Sequence, residues 1–475
     1  MKNPAPLFLC LLTLCLGGCV NLSPVYFPPE LMQPMPVEYK EEDGWRTARP
    51  QDAIERGPWW EIFADPTLNA LISQADEANQ NIAIAAANLR QARARIGTAR
   101  ASLLPGVGAS ASAIRSGADN RPMSSNFVYG VQAQWEISFW NVLPNFEAAR
   151  AQATASAADF ATMRLVVQAE LARSYFQLRG LDEQKSLYEY TIASYRMAVR
   201  LTESQLRGGI VSRMDVDQSH AQLATAEAQL ATIKRQRAIL EHAVAVLVGQ
   251  IPSMYSLERG TLAAQIPGVP EALPATLLER RPDVAAAERR VAAANQQIGV
   301  VRAAWLPTLN LGGDYVGVGA VWNSVLWTWS VGPVAAVTIF SGGRRLTEND
   351  AAWAAYEAVV AAYRQTVLEA FRDVEDSLSN LAYLKISAEA QDRAVRASRS
   401  ALHIAESQYR GGMTTYLQVV SSQEVLLSAQ RSAIELQSLR LQNTVGLIKA
   451  LGGGFEAGDL HMLVQSPPTL GQAER

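Results

Sequence analysis

Histidine, cysteine and clustered acidic residues are the side chains of this 475-residue chain that could do chemistry. The histidines lie at four scattered positions: His220, His242, His403 and His461. No two of them have the His-x-x-x-His spacing that binds zinc from one helical face, and no cysteine accompanies them. The sequence also lacks a Gly-x-Ser-x-Gly nucleophile motif and a three-glycine dinucleotide loop. We therefore expect neither an enzyme nor a bound metal or cofactor.

Cys19 points to a different chemistry, which is lipid attachment. Lys2 precedes an apolar run, Leu7–Leu16, that is too short to span a bilayer, and the run leads through Gly17 and Gly18 to Cys19. This pattern resembles the lipobox of bacterial lipoproteins, which implies cleavage of signal peptide 1–18 and acylation of Cys19, for example with palmitate. By the same resemblance, Val20 favours sorting to the outer membrane. The alternative is an ordinary secretory signal that contains a cysteine.

Two Arg-Gly-Gly motifs predict tight reversals between helices. Glycine permits the positive φ that reverses a helix, and a cation is favoured in the last helical turn. The motif residues are Arg207, Gly208 and Gly209 in the first copy, and Arg410, Gly411 and Gly412 in the second. We expect each motif to form the tip of a helical hairpin.

These motifs belong to an internal repeat. The segment Glu203–Gly209 recurs as Glu406–Gly412, an offset of 203 residues. Upstream, Ile96-Gly97 recurs as Ile298-Gly299, an offset of 202 residues. Two distant sets of matches at nearly one offset indicate a tandem duplication.

Each copy is predicted to consist of a helix, a pair of strands, a long helix, a tight turn and a returning helix. Uninterrupted apolar periodicity predicts the helices Ala83–Leu103, Asn145–Arg207, Met214–Val248, Arg345–Arg410 and Tyr416–Leu451. Rods of this length have no globular core of their own, so they must pack against one another.

Four shorter segments are predicted strands, at about 106–115, 126–138, 309–319 and 324–340. The second and fourth alternate apolar and polar residues, as a strand with one apolar and one polar face does. Turn-like stretches at 116–122 and near Asn323 join the pairs. The alternation also fits a sheet on a soluble core. Four strands leave open edges, however, and tryptophans on the apolar face favour a bilayer. Three chains would supply the twelve strands of a closed barrel.

Several motifs resemble the NodT/OprM-type outer-membrane efflux lipoproteins of the TolC family. They are Pro58–Leu68, Leu277–Asp283, Ile339–Arg344 and Leu451–Gly454. The resemblance covers almost the whole predicted mature chain. It departs from the family at Ser138–Val142, where the strand-to-helix turn has lost a carboxylate, a glycine and a cation.

The resemblance implies a mainly α fold with a transmembrane β part: a homotrimer whose 12-stranded β-barrel continues into a periplasmic α-helical barrel. It implies localisation in the outer membrane, with contact to its lipids and extension into the periplasm. The implied function is the exit duct of a tripartite efflux pump that passively exports small toxic compounds, such as drugs. Its implied partners are a periplasmic adaptor at the hairpin tips and an inner-membrane RND-type transporter.

The resemblance also implies a periplasmic gate. Leu417 matches a pore-narrowing leucine, Ser421 stands where an aspartate is expected, and Glu424 lies near a position often held by arginine. Asp215 and Asp217, after the first tip, could supply the missing negative charge. The alternative for these two is that they are solvated acids at a helix start.

The resulting organisation has six parts. They are signal peptide 1–18, an anchor and equatorial segment 19–62, repeat 1 at 63–250 with tip 207–213, an equatorial segment 251–279, repeat 2 at 280–454 with tip 410–416, and a tail 455–475.

Three alternative functions remain open at this stage: an outlet for protein secretion, an outlet for metal ions, and a non-conducting coiled-coil scaffold. Nucleic acid is not expected as a partner, because 42 basic against 45 acidic residues provide no basic field.

Overall fold

The computed structural model describes residues 21–30, 58–119, 121–137, 139–263, 265–268, 281–320 and 325–454. Several predictions lie outside these residues: the signal peptide, Cys19, Ser138, the turn near Asn323, the tail 455–475, and parts of both equatorial segments. Within the described residues, no helix combines the length and the apolar character needed to cross a membrane.

Helices dominate the structure. A short 3-10 helix, Trp59–Phe63, precedes α1, and Pro252–Met254 forms a second one after α4. Repeat 1 contains α1 (Pro66–Ala78), α2 (Gln80–Ala101), α3 (Phe139–Arg207) and α4 (Arg213–Leu247); repeat 2 contains α5 (Pro282–Ala303), α6 (Arg344–Arg410) and α7 (Tyr416–Ala450).

The long helices pack side by side, as their length requires. At 69 residues, α3 is roughly 100 Å long. It packs against α2, α4, α5 and α7, while α6 packs against α5 and α7. The largest apolar cluster includes Leu68, Ile82, Phe176 and Leu441, so residues from both repeats share one core.

In each repeat, the residue before the helix that leads into the strands, α2 or α5, is bonded to the end of the returning helix. The side chain of Asn79 donates to the carbonyl of Leu247 at 2.8 Å. Arg281, which lies 202 residues later, donates to the carbonyl of Ala450 at 3.2 Å. The repeats therefore share this contact although the residue types differ.

The four strands form one antiparallel sheet in the order β1-β2-β3-β4. The strands are β1 (Gly106–Ala118), β2 (Arg121–Glu136), β3 (Thr308–Gly319) and β4 (Val325–Ala336). The register places Val131, Tyr315 and Trp329 in one row, and the neighbouring row contains Gln132, Asp314 and Ser330. One face is thus apolar and the other polar, as the alternation predicted.

Tyr315 is an aromatic residue of the apolar face that the sequence did not single out. Its ring stacks on Trp327 with centroids 4.7 Å apart, and Tyr129 meets the same indole edge-on at 5.4 Å. The register of β3 against β4 decides this contact.

The predicted strand ends were wrong at two places. The turn predicted at 116–122 lies inside that stretch but is shorter: β1 continues to Ala118, which pairs with Arg121 at the start of β2. Ser116 and Ser124 already pair across the strands, with hydroxyls 3.0 Å apart. At the other end, β4 stops at Ala336 instead of position 340. Ala336 pairs with Thr308, the first residue of β3, so later residues have no partner strand among the residues that the structure describes.

The junction that departs from the family pattern also differs between the repeats. Before α6, Gly342 and Gly343 both have positive φ, at 62° and 86°. At the offset of 202 that relates the two strand pairs, the equivalent positions in repeat 1 are Trp140 and Asn141, and they already belong to α3. Without glycines a left-handed turn is costly, so the helix begins directly. It therefore begins before Asn145 and includes Pro144 in its first two turns.

Candidate functional site

Both hairpin tips have the same backbone structure. Gly209 has φ of 72° and donates to the Leu206 carbonyl at 3.0 Å, while Ile210 donates to the Gln205 carbonyl at 2.9 Å. In the second tip, Gly412 and Met413 make the equivalent bonds to Tyr409 and Gln408. This pair of bonds is the Schellman motif, which ends a helix at a left-handed residue. Only the second glycine of each pair has positive φ.

Apolar side chains are exposed at both tips. Ile210 and Met413, each directly after the left-handed glycine, are 74% and 75% exposed. Arg207 and Arg410 are also exposed. Sequence reasoning named the arginines and glycines but missed Ile210 and Met413, although both are apolar and lie 203 residues apart, at the repeat offset. Paired exposed apolar residues are a signal of a contact surface.

Leu417, Ser421 and Glu424 lie on one face of α7, since they are separated by four and three residues. All three are exposed in the single chain, Leu417 by 53%. The adjoining face of α7 is buried: Tyr416, Val419 and Val420 pack with Ala405 of α6. The structure therefore brings these three predicted gate residues together on a face that no described residue of the same chain buries.

Asp215 and Asp217 lie in the first turns of α4 and both have local partners. The Asp215 carboxylate accepts from the backbone N–H and the hydroxyl of Ser212 at 3.0 and 2.8 Å, and the Asp215 N–H donates back to the Ser212 hydroxyl. This is a capping box. Asp217 accepts from Arg213 Nε at 3.0 Å. The pattern Ser-x-x-Asp at Ser212–Asp215 was the missed signal of the capping box.

The two hairpins touch near their tips. The Tyr409 hydroxyl donates to Gln205 Oε1 at 3.3 Å, which joins α6 to α3. Further along, Gln222 Nε2 donates to Gln423 Oε1 at 3.2 Å, which joins α4 to α7. The ring of Tyr416 lies 5.6 Å from that of Tyr409.

The pKa values of two tyrosines in this region are raised by burial and, in addition, by nearby acids. Burial raises the pKa of Tyr416 to about 12, and Tyr409 and then Asp215 add to the increase. Burial likewise raises the pKa of Tyr195 to about 12; a hydrogen bond with Gln222 opposes this, and the charge of Glu424 adds to it. The candidate acids of both hairpins thus lie close enough to act on buried phenols between the helices.

Among the described residues, no group of three or more His, Cys, Asp or Glu side chains is arranged to hold a metal ion. The residues at the tips and on α7 instead form surfaces, exposed in one chain and suited to contact.

Comparison with known proteins supports the organisation of the chain in two repeats. The family described as outer membrane efflux protein matches residues 71–250 and 273–453, which are the two repeats. The pyoverdine export outer membrane protein OpmQ of Pseudomonas putida is 33% identical over 473 residues, covering 95% of this chain and 98% of OpmQ. The probable outer membrane lipoprotein SilC of Salmonella typhimurium is 26% identical, covering 93% and 96%.

A solved structure of the outer-membrane channel OprN superposes with a TM-score of 0.82 at 27% identity, covering 92% of this chain and 99% of OprN. The predicted fold class, mainly α with a four-stranded β part and an internal repeat, is confirmed. The chain therefore belongs to the outer membrane efflux protein family and is a NodT/OprM-type, TolC-like efflux channel of the outer membrane that extends into the periplasm.

Proposed function

We propose that this chain, as a homotrimer, is the exit duct of a tripartite efflux pump. The observation that supports this most directly is the sheet: four strands with one apolar and one polar face, ending in two edges, β1 and β4. An open edge exposes unpaired backbone groups, which is costly in a bilayer. Three copies joined edge to edge supply twelve strands and leave no edge.

The proposed gate is the exposed α7 face of Leu417, Ser421 and Glu424, brought round the axis three times. Leu417 would narrow the closed pore. Asp215 and Asp217 contribute negative charge near the same end, but their bonds to Ser212 and Arg213 favour a structural role as helix-start acids. In this proposal Leu417 is the main constriction and the two aspartates stabilise the hairpin.

The hairpin tips are the proposed docking site for a periplasmic adaptor. Each tip offers an exposed arginine, a left-handed glycine and an exposed apolar side chain, Ile210 or Met413. Such surfaces fit a partner that presents helical tips of its own. The adaptor would couple the duct to an inner-membrane RND-type transporter, which supplies the energy, so the chain itself performs no catalytic step.

The cargo is proposed to be a small molecule. The similarity to OpmQ, named for pyoverdine export, favours a small exported compound over protein secretion. Drugs and other small toxic compounds belong to the same class, and metal ions remain the alternative. Acylation of Cys19 is proposed as the second membrane attachment.

Conductance of the purified trimer in a planar bilayer tests the duct and its gate together. We expect the closed wild-type channel to conduct weakly and Leu417→Gly to conduct several-fold more, since a constriction is removed. Leu439→Gly is the matched control on the same helix, because it introduces the same helix-weakening glycine away from the tip. Silent bilayers with both variants would contradict the duct and support a scaffold.

A deletion strain tests the cargo class. Loss of the gene should increase sensitivity to drugs, dyes or solvents, and the wild-type chain should restore resistance. Sensitivity confined to metal ions would favour the alternative cargo.

A further inference from the structure

An extended segment near the start of the chain binds along repeat 2. We call residues 21–30 the N-terminal strap. Ser23 Oγ donates to Gln296 Oε1 at 2.8 Å, and Asn295 Nδ2 donates to the Pro24 carbonyl at 2.8 Å. The Tyr26 hydroxyl is hydrogen-bonded to Glu288. Most of these contacts use side chains of α5, so the strap is recognised by residue type and not by shape alone.

The contacts also give the strap a direction. Arg302 Nη1 donates to the Leu22 carbonyl at 3.3 Å, whereas Tyr26 contacts Glu288, fourteen residues earlier on α5. Arg364 Nε of α6 donates to the Glu30 carbonyl at 3.1 Å. The strap therefore runs antiparallel to α5. Its beginning lies at the end of α5 that leads through Pro307 into β3, which is the sheet end of the rod.

Close approach of the strap depends on Gly299. A Cβ at this position would lie 2.1 Å from Ser23 Oγ and 2.8 Å from the Ser23 backbone nitrogen. The equivalent glycine in repeat 1 is Gly97, and a Cβ there would meet nothing within 4 Å. The duplication thus kept both glycines, but only the one in repeat 2 has the strap against it.

The polar partners of the strap show the same asymmetry. At the positions in repeat 1 that correspond to Asn295 and Gln296, the chain has Arg93 and Ala94. Glu288 corresponds to Ala86, which is buried in the core that the two repeats share. Repeat 1 therefore lacks the amide and carboxylate groups that bind the strap in repeat 2.

We infer that the groove on α5 around Gly299 is a specific binding site for the chain's own strap, and that it holds the anchor end of the chain at the sheet end of repeat 2. Cys19 lies two residues before Asn21, so its Cα is at most about 7 Å further along the chain. A lipid on Cys19 would then enter the bilayer beside β3 of the same chain. The role of the anchor depends on the proposed lipidation, whereas binding of the strap does not.

Cross-linking tests the site. Serine first replaces the chain's own cysteines, Cys10, Cys15 and Cys19. With Ser23→Cys and Gln296→Cys added in one chain, a short bis-methanethiosulfonate reagent should join the strap to α5. The matched pair Ser23→Cys with Ala94→Cys, on repeat 1, should give no product. A product with Ala94→Cys as abundant as that with Gln296→Cys would overturn the assignment to repeat 2.

Glycine variants test the close approach. Gly299→Val should lower the cross-link yield about tenfold, because overpacking displaces the strap. Gly97→Val, which adds the same side chain where space is open, should leave the yield unchanged. Equal yields in the two variants would contradict the inference. If Gly299→Val fails to fold by circular dichroism, Asn295→Ala replaces it: a several-fold lower yield supports the site, and an unchanged yield overturns it.

The position of the anchor end is tested in membranes. A fluorophore on Asn21→Cys should be quenched by brominated lipids more strongly than one on Glu30→Cys, both in the chain whose own three cysteines are replaced by serine. The reverse order would contradict the direction of the strap. A mass spectrum of the wild-type chain without acyl groups would refute the lipidation alone, since the cross-link does not depend on it.

Discussion

At the scale of single residues, the tips show that two adjacent glycines have different tasks. Gly209 has positive φ, where a Cβ is disfavoured, while Gly208 does not. A Cβ on Gly208 would meet its nearest neighbour, the Gln205 carbonyl oxygen, at 3.5 Å, an ordinary contact. The motif Arg-Gly-Gly therefore contains one glycine that the turn requires and one that it tolerates.

We predict that Gly209→Ala lowers the free energy of unfolding by about 1 kcal/mol, the approximate cost of a left-handed non-glycine residue. Denaturant unfolding of the purified chain measures this. Gly208→Ala is the matched control and should be neutral or slightly stabilising, because alanine favours the helix end. An equal loss in both variants would show that the backbone conformation is not the cause.

Tyr416 makes the stability of the tip region sensitive to alkali. Its side chain is buried, and its hydroxyl has no hydrogen-bond partner among the residues described. Its pKa is raised to about 12 from the ordinary value of 10.0. As pH rises between these values, the unfolded chain loses the proton while the folded chain keeps it. The free energy of unfolding therefore falls in this window and is unaffected below it.

We predict that Tyr416→Phe reduces the loss of stability between about pH 10 and about pH 12, with little change near neutrality. Thermal unfolding across this range is the measurement. Tyr190→Phe, at a tyrosine that is 75% exposed, controls for the loss of one phenol. A pH profile of Tyr416→Phe identical to that of the wild type would refute the assignment.

At the scale of elements, a buried charge network holds the segment after α4 against α3 and α4. Asp182 is 2% exposed and accepts from Arg237 Nε at 2.6 Å and from Arg179 Nη1 at 3.1 Å. The two arginines in turn donate to the carbonyls of Leu257 and Glu258, both at 2.7 Å. Burial by itself lowers the pKa of Arg237, but its bonds and charge contacts with Asp182 and Glu241 raise it overall.

We predict that Asp182→Asn destabilises the chain by about 3–5 kcal/mol, because two poorly solvated guanidinium groups lose their shared counter-charge. Unfolding and faster proteolysis within 255–263 are the measurements. Glu227→Gln is the control: its pair with Arg196, at 2.7 Å, is exposed and should contribute less than about 1 kcal/mol. A loss for Asp182→Asn as small as that of the control would mean that the network does not hold the segment.

At the scale of the whole molecule, the sheet is the part that one chain leaves incomplete. Its two faces are distinguished residue by residue: Trp329 lies in the row of Val131 and Tyr315, and Thr328 lies in the row of Val316 on the opposite face. If the apolar face meets lipid, the same substitution at these two neighbours should have unequal effects.

We predict that Trp329→Lys reduces the amount of assembled protein in the outer membrane, because a lysine on a lipid-facing strand costs about 2–4 kcal/mol per chain near the midplane. Thr328→Lys, one residue away on the polar face, should assemble normally. Membrane fractionation and native electrophoresis are the measurements. Equal assembly of both variants would contradict the assignment of the apolar face to lipid.

The sequence by itself determined the duplication, the long helices, the strand alternation and the two hairpin tips. These features depend on residues that are near neighbours in the chain, such as Gly209 and Gly412 after each helix. The face of α7 that carries Leu417 and Ser421 follows from helical spacing in the same way.

Only the tertiary structure decided the contacts between distant residues. The bond from Asn79 to Leu247 joins positions 168 residues apart, and that from Ser23 to Gln296 joins positions 273 apart. The C-terminal end of β4 was decided by where its partner β3 begins. A local pattern fixes periodicity, but a partner across the fold is chosen by packing, and the Asp182 network and the strap depend on that choice.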